Sequence, residues 1–156
     1  MVEKVTGEEK ETVKKLFIDN WNTDFMISNG KIHKIDHLES YLYKNEKGIL
    51  GIITYCIENN EIEIVSLDSF AENKGIGTAL VNTVVQKFKE GGFSRLWLIT
   101  TNDNLHALKF YQRRNFTISK IHLDAVKKAR NIKPSIPLYA ENNISIEHEI
   151  ELSYRS

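Results

Sequence analysis

The run from Ile49 to Ile57 (Ile-Leu-Gly-Ile-Ile-Thr-Tyr-Cys-Ile) constrains this chain more than any other segment. It is apolar on both faces, so it belongs in the middle of a sheet, paired on each edge and covered above and below. Asn59-Asn60 follows as a turn, and Glu61 to Leu67 alternates acidic with aliphatic residues before becoming apolar. That pattern predicts an antiparallel hairpin. Gly75 to Glu90 places Ile76, Leu80, Val84 and Phe88, with Ala79 and Thr83, at helical spacing, and Gly91-Gly92 stops it. Arg95 to Thr101 reads as a short buried strand, and Asn102-Asp103-Asn104 supplies capping residues for a helix running to about Arg114. Phe116 to Leu123 reads as another strand. The order strand, helix, strand, helix, strand predicts an α/β or α+β sheet with a parallel pair at its centre.

The ends carry weaker patterns. Glu8 to Asn20 is expected to be an amphipathic helix with Val13, Leu16 and Phe17 inward, and Asp124 to Asn131 a short helix. Ile144 to Leu152 alternates strictly, with Ser145, Glu147, Glu149 and Glu151 on one face. This predicts a half-exposed last strand, pairing within the chain or with a second copy as a homodimer. Trp21 to Asp36 shows no period and is expected to be a flexible loop on the substrate side.

Composition narrows the function. A length of 156 residues suits one domain, taken here as residues 1–156. Lys plus Arg number 21 and Asp plus Glu 21, which leaves no surplus cations for a sequence-independent nucleic-acid binder. The single cysteine, Cys56, cannot close an intramolecular disulfide and points to a reducing compartment. No window is apolar enough to span a membrane, and the polar start Met1 to Glu11 does not read as a secretory signal. A cytoplasmic protein without nucleic-acid or membrane partners is the expectation.

Two constellations carry chemistry. Glu72-Asn73-Lys74-Gly75-Ile76-Gly77-Thr78 lies between a strand and a helix. Helix N-termini hold unpaired N–H groups with partial positive charge, and glycine lets a phosphate approach them; a turn that needs positive φ explains the same glycines. A dinucleotide fingerprint would need glycine where Leu80 stands, and a Walker A loop would need Gly-Lys-Ser/Thr where Gly77-Thr78-Ala79 stands. The second constellation is Asn104, Ala107, Phe110, Tyr111, Asn115 and Phe116. Asn104 and Tyr111 sit two helical turns apart with the small Ala107 between them, so a ligand can lie along that face. A buried tyrosine with a structural hydrogen bond fits equally.

Together, in this order, the two motifs resemble the Gcn5-related N-acetyltransferase (GNAT) superfamily over about Ile49 to Leu123. The family's coenzyme loop, Arg/Gln-x-x-Gly-x-Gly/Ala, is matched by Glu72 to Gly77 with Glu72 in place of Arg or Gln. The family's Asn-x-x-Ala-x-x-Phe-Tyr-x-x-x-Gly-Phe is matched from Asn104 to Phe116 with Asn115 in place of glycine, a residue that tolerates the left-handed conformation. Leu96 to Asn104 and Arg130 to Pro137 look like a bacterial subgroup of unknown acceptor.

The resemblance implies a mixed, mostly antiparallel central sheet of six to seven strands with a parallel pair at the family's strands four and five, flanked by about four helices. It implies acetyl-CoA as co-substrate, no metal, and direct transfer to a primary amine of a small molecule or a protein. The alternative is a non-catalytic acyl-CoA-binding or regulatory domain of the same fold. N–H groups of Val65 and Leu67 would meet the pantetheine and thioester; Glu72, Asn73, Lys74, Gly75, Ile76, Gly77 and Thr78 would hold the phosphates. Asn104 and Ala107 would line the pantetheine arm, and Tyr111 would protonate the leaving thiolate. Glu61 and Glu63 share a strand face and are the base candidates, Glu61 matching the glutamate of the histone-modifying branch. Asp68, expected on the opposite face, is a weaker base candidate. Trp21, Asp24, Tyr55, Trp97 and Arg130 are expected around the acceptor. Cys56 among aliphatics reads as a core residue, and His33 with His37 lacks a third metal ligand.

Overall fold

The computed structural model describes residues 1–71 and 75–155. Its elements are β1 (Val2–Lys4), α1 (Lys10–Trp21), β2 (Phe25–Ser28), β3 (Lys31–Lys34), β4 (Glu39–Asn45), β5 (Gly48–Glu58), β6 (Glu61–Ser69), α2 (Ile76–Gly91), β7 (Arg95–Thr101), α3 (Leu105–Gln112), β8 (Phe116–His122), α4 (Ala125–Ile132) and β9 (Glu149–Tyr154). They group into two compact units, Met1–Met26 with His33–Leu96, and Ile27–Ile32 with Trp97–Ser156. No described helix is long and apolar enough to cross a membrane.

In the first unit β5 is paired antiparallel to β4 on one edge and β6 on the other, and Gly51 to Tyr55 are buried. The two-sided apolar run therefore does what its composition demands. The β5–β6 turn is Asn59-Asn60 with φ of 53° and 62°. Two successive left-handed residues twist the turn to match the strands. Ile52 packs with Leu42 of β4 and Val13 of α1 on one face. Ile76, Leu80 and Val84 are buried along α2, as their spacing predicted; Val81 joins them, and Phe88 is half-buried. Each such aliphatic side chain contributes about 1.5–3 kcal/mol by leaving water.

The register of β5 on β6 contains the local feature that matters most. Thr54 faces Ser66 and Tyr55 faces Ile64, so Val65 is an extra residue, a β-bulge. The bulge changes which residues share a face beyond it. Ile52, Thr54 and Cys56 alternate along β5 and stand opposite Asp68, Ser66 and Glu63. Asp68 therefore lies on the same face as Glu63, against the sequence expectation, because simple alternation counts no inserted residue.

Trp21 to Asp36 is also more ordered than expected: β2 and β3 form a two-stranded sheet. Asn29-Gly30, with φ of 47° and 76°, makes the turn. This Asn-Gly pair between short apolar stretches is the signal that would have revealed the hairpin.

In the second unit the strand order is β7-β9-β8, all antiparallel. The last strand is thus central, and its pairing partners are β7 and β8. It begins only at Glu149, and Glu149 and Glu151 are buried, not half-exposed as the alternation suggested. Each buried acid has a partner. The Asn29 N–H donates to Glu149 Oε1 at 2.8 Å, and His122 Nε2 lies 3.0 Å from Glu151 Oε1. The preceding segment is held instead by Asn102, whose Nδ2 donates to Ser145 O and whose Oδ1 accepts from the Glu147 and His148 N–H groups. The fold is the mixed, mostly antiparallel α/β class expected, with four α-helices among the described residues.

Gly51 sets how closely α2 can approach β5. A Cβ there would lie 2.5 Å from Ile76 Cγ2, 3.0 Å from Leu80 Cδ1 and 3.1 Å from the Asp68 carbonyl oxygen. The backbone oxygen cannot swing away, so Gly51→Ala forces the start of α2 outward. The expected result is a loss of about 1–3 kcal/mol in urea unfolding. An unchanged midpoint would show that α2 does not depend on this approach.

Candidate active site

Within the first unit the expected site residues follow β6 into α2. Glu61 is half-buried, and its carboxylate lies 3.8 Å from the Arg95 guanidinium. Glu63, one pleat on, is 5% exposed and stands opposite Cys56. His33, from β3, places Nε2 3.4 Å from Glu63 Oε1. Burial pushes the His33 imidazole down, but hydrogen bonding with Cys56 and Glu63, and their charge, outweigh this and raise it to about 9. His33 was missed as a partner of Glu63 because β3 and β6 are far apart in sequence, and no local spacing signals the meeting.

Val65 is the bulged residue and Leu67 is half-buried near the end of β6. Glu72, Asn73 and Lys74 lie outside the described residues. Gly75 caps α2 in the left-handed conformation, with φ of 68°, a conformation glycine adopts without steric strain. Ile76 is buried, while Gly77 and Thr78 are half-buried in the first turn. The first N–H groups of a helix have no acceptor within it, and such an end binds anions well.

Asp68 is tied to α1. Asn20 Nδ2 donates to one carboxylate oxygen at 2.7 Å and Trp21 Nε1 to the other at 2.9 Å. Trp21 therefore anchors α1 through its indole N–H. Tyr55, expected near the acceptor, is fully buried, and its hydroxyl accepts from Lys4 Nζ at 2.9 Å.

Within the second unit Asn104 is the N-cap of α3, its Oδ1 accepting from the Ala107 N–H at 3.1 Å. Two of the expected ligand-side residues thus bond to each other at the helix start. Tyr111 is 6% exposed. Its ring meets Phe110 and Phe116 edge-on, with centroids 5.1 and 5.3 Å apart, and Phe116 continues to Tyr154. Such pairs stiffen a side chain as well as burying it. Asn115 has φ of 69°, so the position where the family has glycine is left-handed here too. Arg130 donates to the carbonyls of Ile136, Pro137 and Ile146, which makes it a clasp for the C-terminal segment.

The comparisons with known proteins agree with one another. The acetyltransferase (GNAT) family model matches residues 8–116, and the chain belongs to that family. Two relatives from Bacillus subtilis (strain 168) are the uncharacterized proteins YdhI, 45% identical over 145 residues, and YxbD, 42% identical over 144 residues. Each alignment covers 92% of this chain and 91% of the relative. A GNAT family acetyltransferase from Elizabethkingia anophelis, solved with acetyl-CoA bound, superposes with a TM-score of 0.72 at 21% identity. That match covers 100% of this chain and 97% of the other, and shows the shared fold.

Asp68 offers a test of the face assignment. Burial raises its pKa above the ordinary aspartate value, and the hydrogen bonds from Trp21 and Asn20 only partly oppose this. A carboxyl with a raised folded pKa holds its proton more tightly when folded, so its contribution is fullest in acid and fades as pH rises through the folded value. The stability difference between wild type and Asp68→Asn should therefore shift against wild type as pH rises above about 3.9. Urea unfolding across pH 3.5 to 7 reads this, and a pH-independent difference would place Asp68 in solvent.

Proposed function

We propose that this chain is an acetyl-CoA-dependent N-acetyltransferase that transfers the acetyl group directly to a primary amine of a small molecule or a protein. The observation that carries the reading is the bulge at Val65 followed by a glycine-capped helix, in a chain of the acetyltransferase family. A bulge breaks the strand ladder locally and re-aims backbone groups, the kind of fixed N–H donor a thioester carbonyl needs as negative charge develops on its oxygen. The same proposal covers the single acetyltransferase domain read over residues 1–156.

On this reading the N–H groups of Val65 and Leu67 meet the pantetheine and the thioester carbonyl. The N-terminus of α2, from Gly75 to Thr78, holds the diphosphate together with Glu72, Asn73 and Lys74. Asn104 and Ala107 face the pantetheine arm; with its Oδ1 capping α3, Asn104 offers its amide NH2. The amine nitrogen attacks the carbonyl carbon, the carbon–sulfur bond breaks, and coenzyme A leaves as a thiolate. A carboxylate takes one ammonium proton before attack, and the Tyr111 phenol gives a proton to the thiolate. The second nitrogen proton, lost as the carbon–sulfur bond breaks, restores the phenol, and the carboxylate passes its proton to solvent as the net proton released.

Of the two base candidates, Glu63 is favoured by its burial and by His33, which holds its carboxylate in place. Glu61 shares its charge with the half-exposed Arg95.

The decisive assay follows thiol release from acetyl-CoA against a panel of amines and peptides, with acetyl-CoA binding read by calorimetry. Turnover with at least one amine is expected. No acetyl-CoA binding would overturn the reading, and binding without turnover would leave the non-catalytic acyl-CoA-binding alternative. Once an acceptor is known, Tyr111→Phe should lower kcat while leaving acetyl-CoA affinity near wild type. Glu63→Gln should lower kcat by about 10²-fold, the usual scale for a lost general base. A normal rate in Glu63→Gln with a loss in Glu61→Gln would move the base to Glu61.

A further inference from the structure

Cys56 and Glu63 face each other as cross-strand partners of β5 and β6. Directly opposed side chains start with their Cβ atoms about 4.5–5.5 Å apart. His33 arrives from β3 on the same group. The three potential ligand atoms, an imidazole nitrogen, Cys56 Sγ and a Glu63 carboxylate oxygen, all lie within 4.8 Å of one another. His33 and Glu63 are 4% and 5% exposed, and Cys56 is half-buried. Among the described residues this is the one such group.

We propose that His33, Cys56 and Glu63 form a binding site for a borderline-soft divalent metal ion such as zinc, with a fourth position open to water. Zinc bonds of about 2.0–2.3 Å in a tetrahedron put neighbouring ligand atoms about 3.3–3.8 Å apart. The 3.4 Å between His33 Nε2 and Glu63 Oε1 already matches that edge. The Cys56 sulfur lies within 4.8 Å of both other ligand atoms, and binding would draw it in to that edge. The donor set is one nitrogen, one sulfur and one oxygen, and the thiolate selects zinc or cobalt over magnesium and calcium.

Charge supports the same assignment. Two anionic ligands, thiolate and carboxylate, balance a dication, and His33 and Glu63 are both buried. Without a metal, the protonated His33 imidazole balances the Glu63 carboxylate. Binding is therefore an exchange in which the ion enters and the ligands' protons leave. Because Glu63 is also the favoured base, an occupied site would withhold it from proton transfer. That consequence rests on the proposed function, whereas the binding itself does not.

The test uses the full chain without an affinity tag, kept reduced, and titrated with Co2+. The expected result is one equivalent bound, with the intense visible bands of tetrahedral cobalt and a thiolate-to-cobalt band in the near ultraviolet. Zn2+ should bleach these bands, and a hundredfold excess of Mg2+ should not. Cys56→Ser should lose the thiolate band, and His33→Gln should bind at least about tenfold more weakly. Absence of the bands in wild type, or their survival in Cys56→Ser, would overturn the site. Should a variant not fold, the unaltered protein answers by itself, since Cys56 is its single cysteine. Zn2+ should slow alkylation of Cys56 by iodoacetamide, and equal rates with and without Zn2+ would overturn the proposal. Neither readout depends on acetyl transfer, so the site and the proposed enzyme activity fail separately.

Discussion

One inserted residue in β6 governs the first unit. With Val65 outside the register, the strand's polar residues on both sides of the bulge share one face, so Glu63, Ser66 and Asp68 line up opposite Cys56, Thr54 and Ile52. Without the bulge, either Glu63 or Asp68 would point to the α2 side, into aliphatic packing. There an ionised carboxylate would have to neutralise or find a partner. The bulge instead delivers Asp68 to the donors of Asn20 and Trp21, and so docks the end of α1 on the sheet. A local change in pairing thus decides where a helix sits and what a strand face can do chemically.

Buried acids are unusually prominent, and each is paired. Glu63 meets His33, Asp68 meets Asn20 and Trp21, Glu149 meets the Asn29 backbone, and Glu151 meets His122. Losing one partner of such a pair leaves a desolvated charge and destabilises far more than the pair stabilises. These contacts specify a unique arrangement more than they add stability. The neutral overall charge of the chain therefore conceals a polar interior, in which acids and their partners come from distant segments.

Much of the fold was legible because its signals are local. The two-sided apolar run at Ile49–Ile57, the Asn59-Asn60 turn, the α2 stripe and the Asn104 cap each need only neighbouring residues to be read. The left-handed Asn115 follows from side-chain chemistry at one position. The misreadings share another origin. Trp21–Asp36 has strands too short for periodicity, although its Asn-Gly pair marks the turn. Ile144–Leu152 alternates like an exposed strand, yet β7 and β8 flank β9 and turn its acids inward. The partners of Tyr55 and Arg130, Lys4 and three carbonyls, likewise come from elsewhere in the chain and leave no local mark.

By itself the sequence determined the element order from β5 to α4, the covered central strand, the glycine-started helix and the motifs that mark an acetyltransferase. All of these rest on short-range spacing and backbone preference, which a linear chain records directly. The tertiary structure alone decided the face that Asp68 occupies, the burial of Glu149 and Glu151, and the meeting of His33 with Cys56 and Glu63. Those outcomes depend on register and on contacts between segments remote in sequence. A single bulged residue reverses the alternation beyond it, and no local pattern records which distant side chain arrives to satisfy a buried charge.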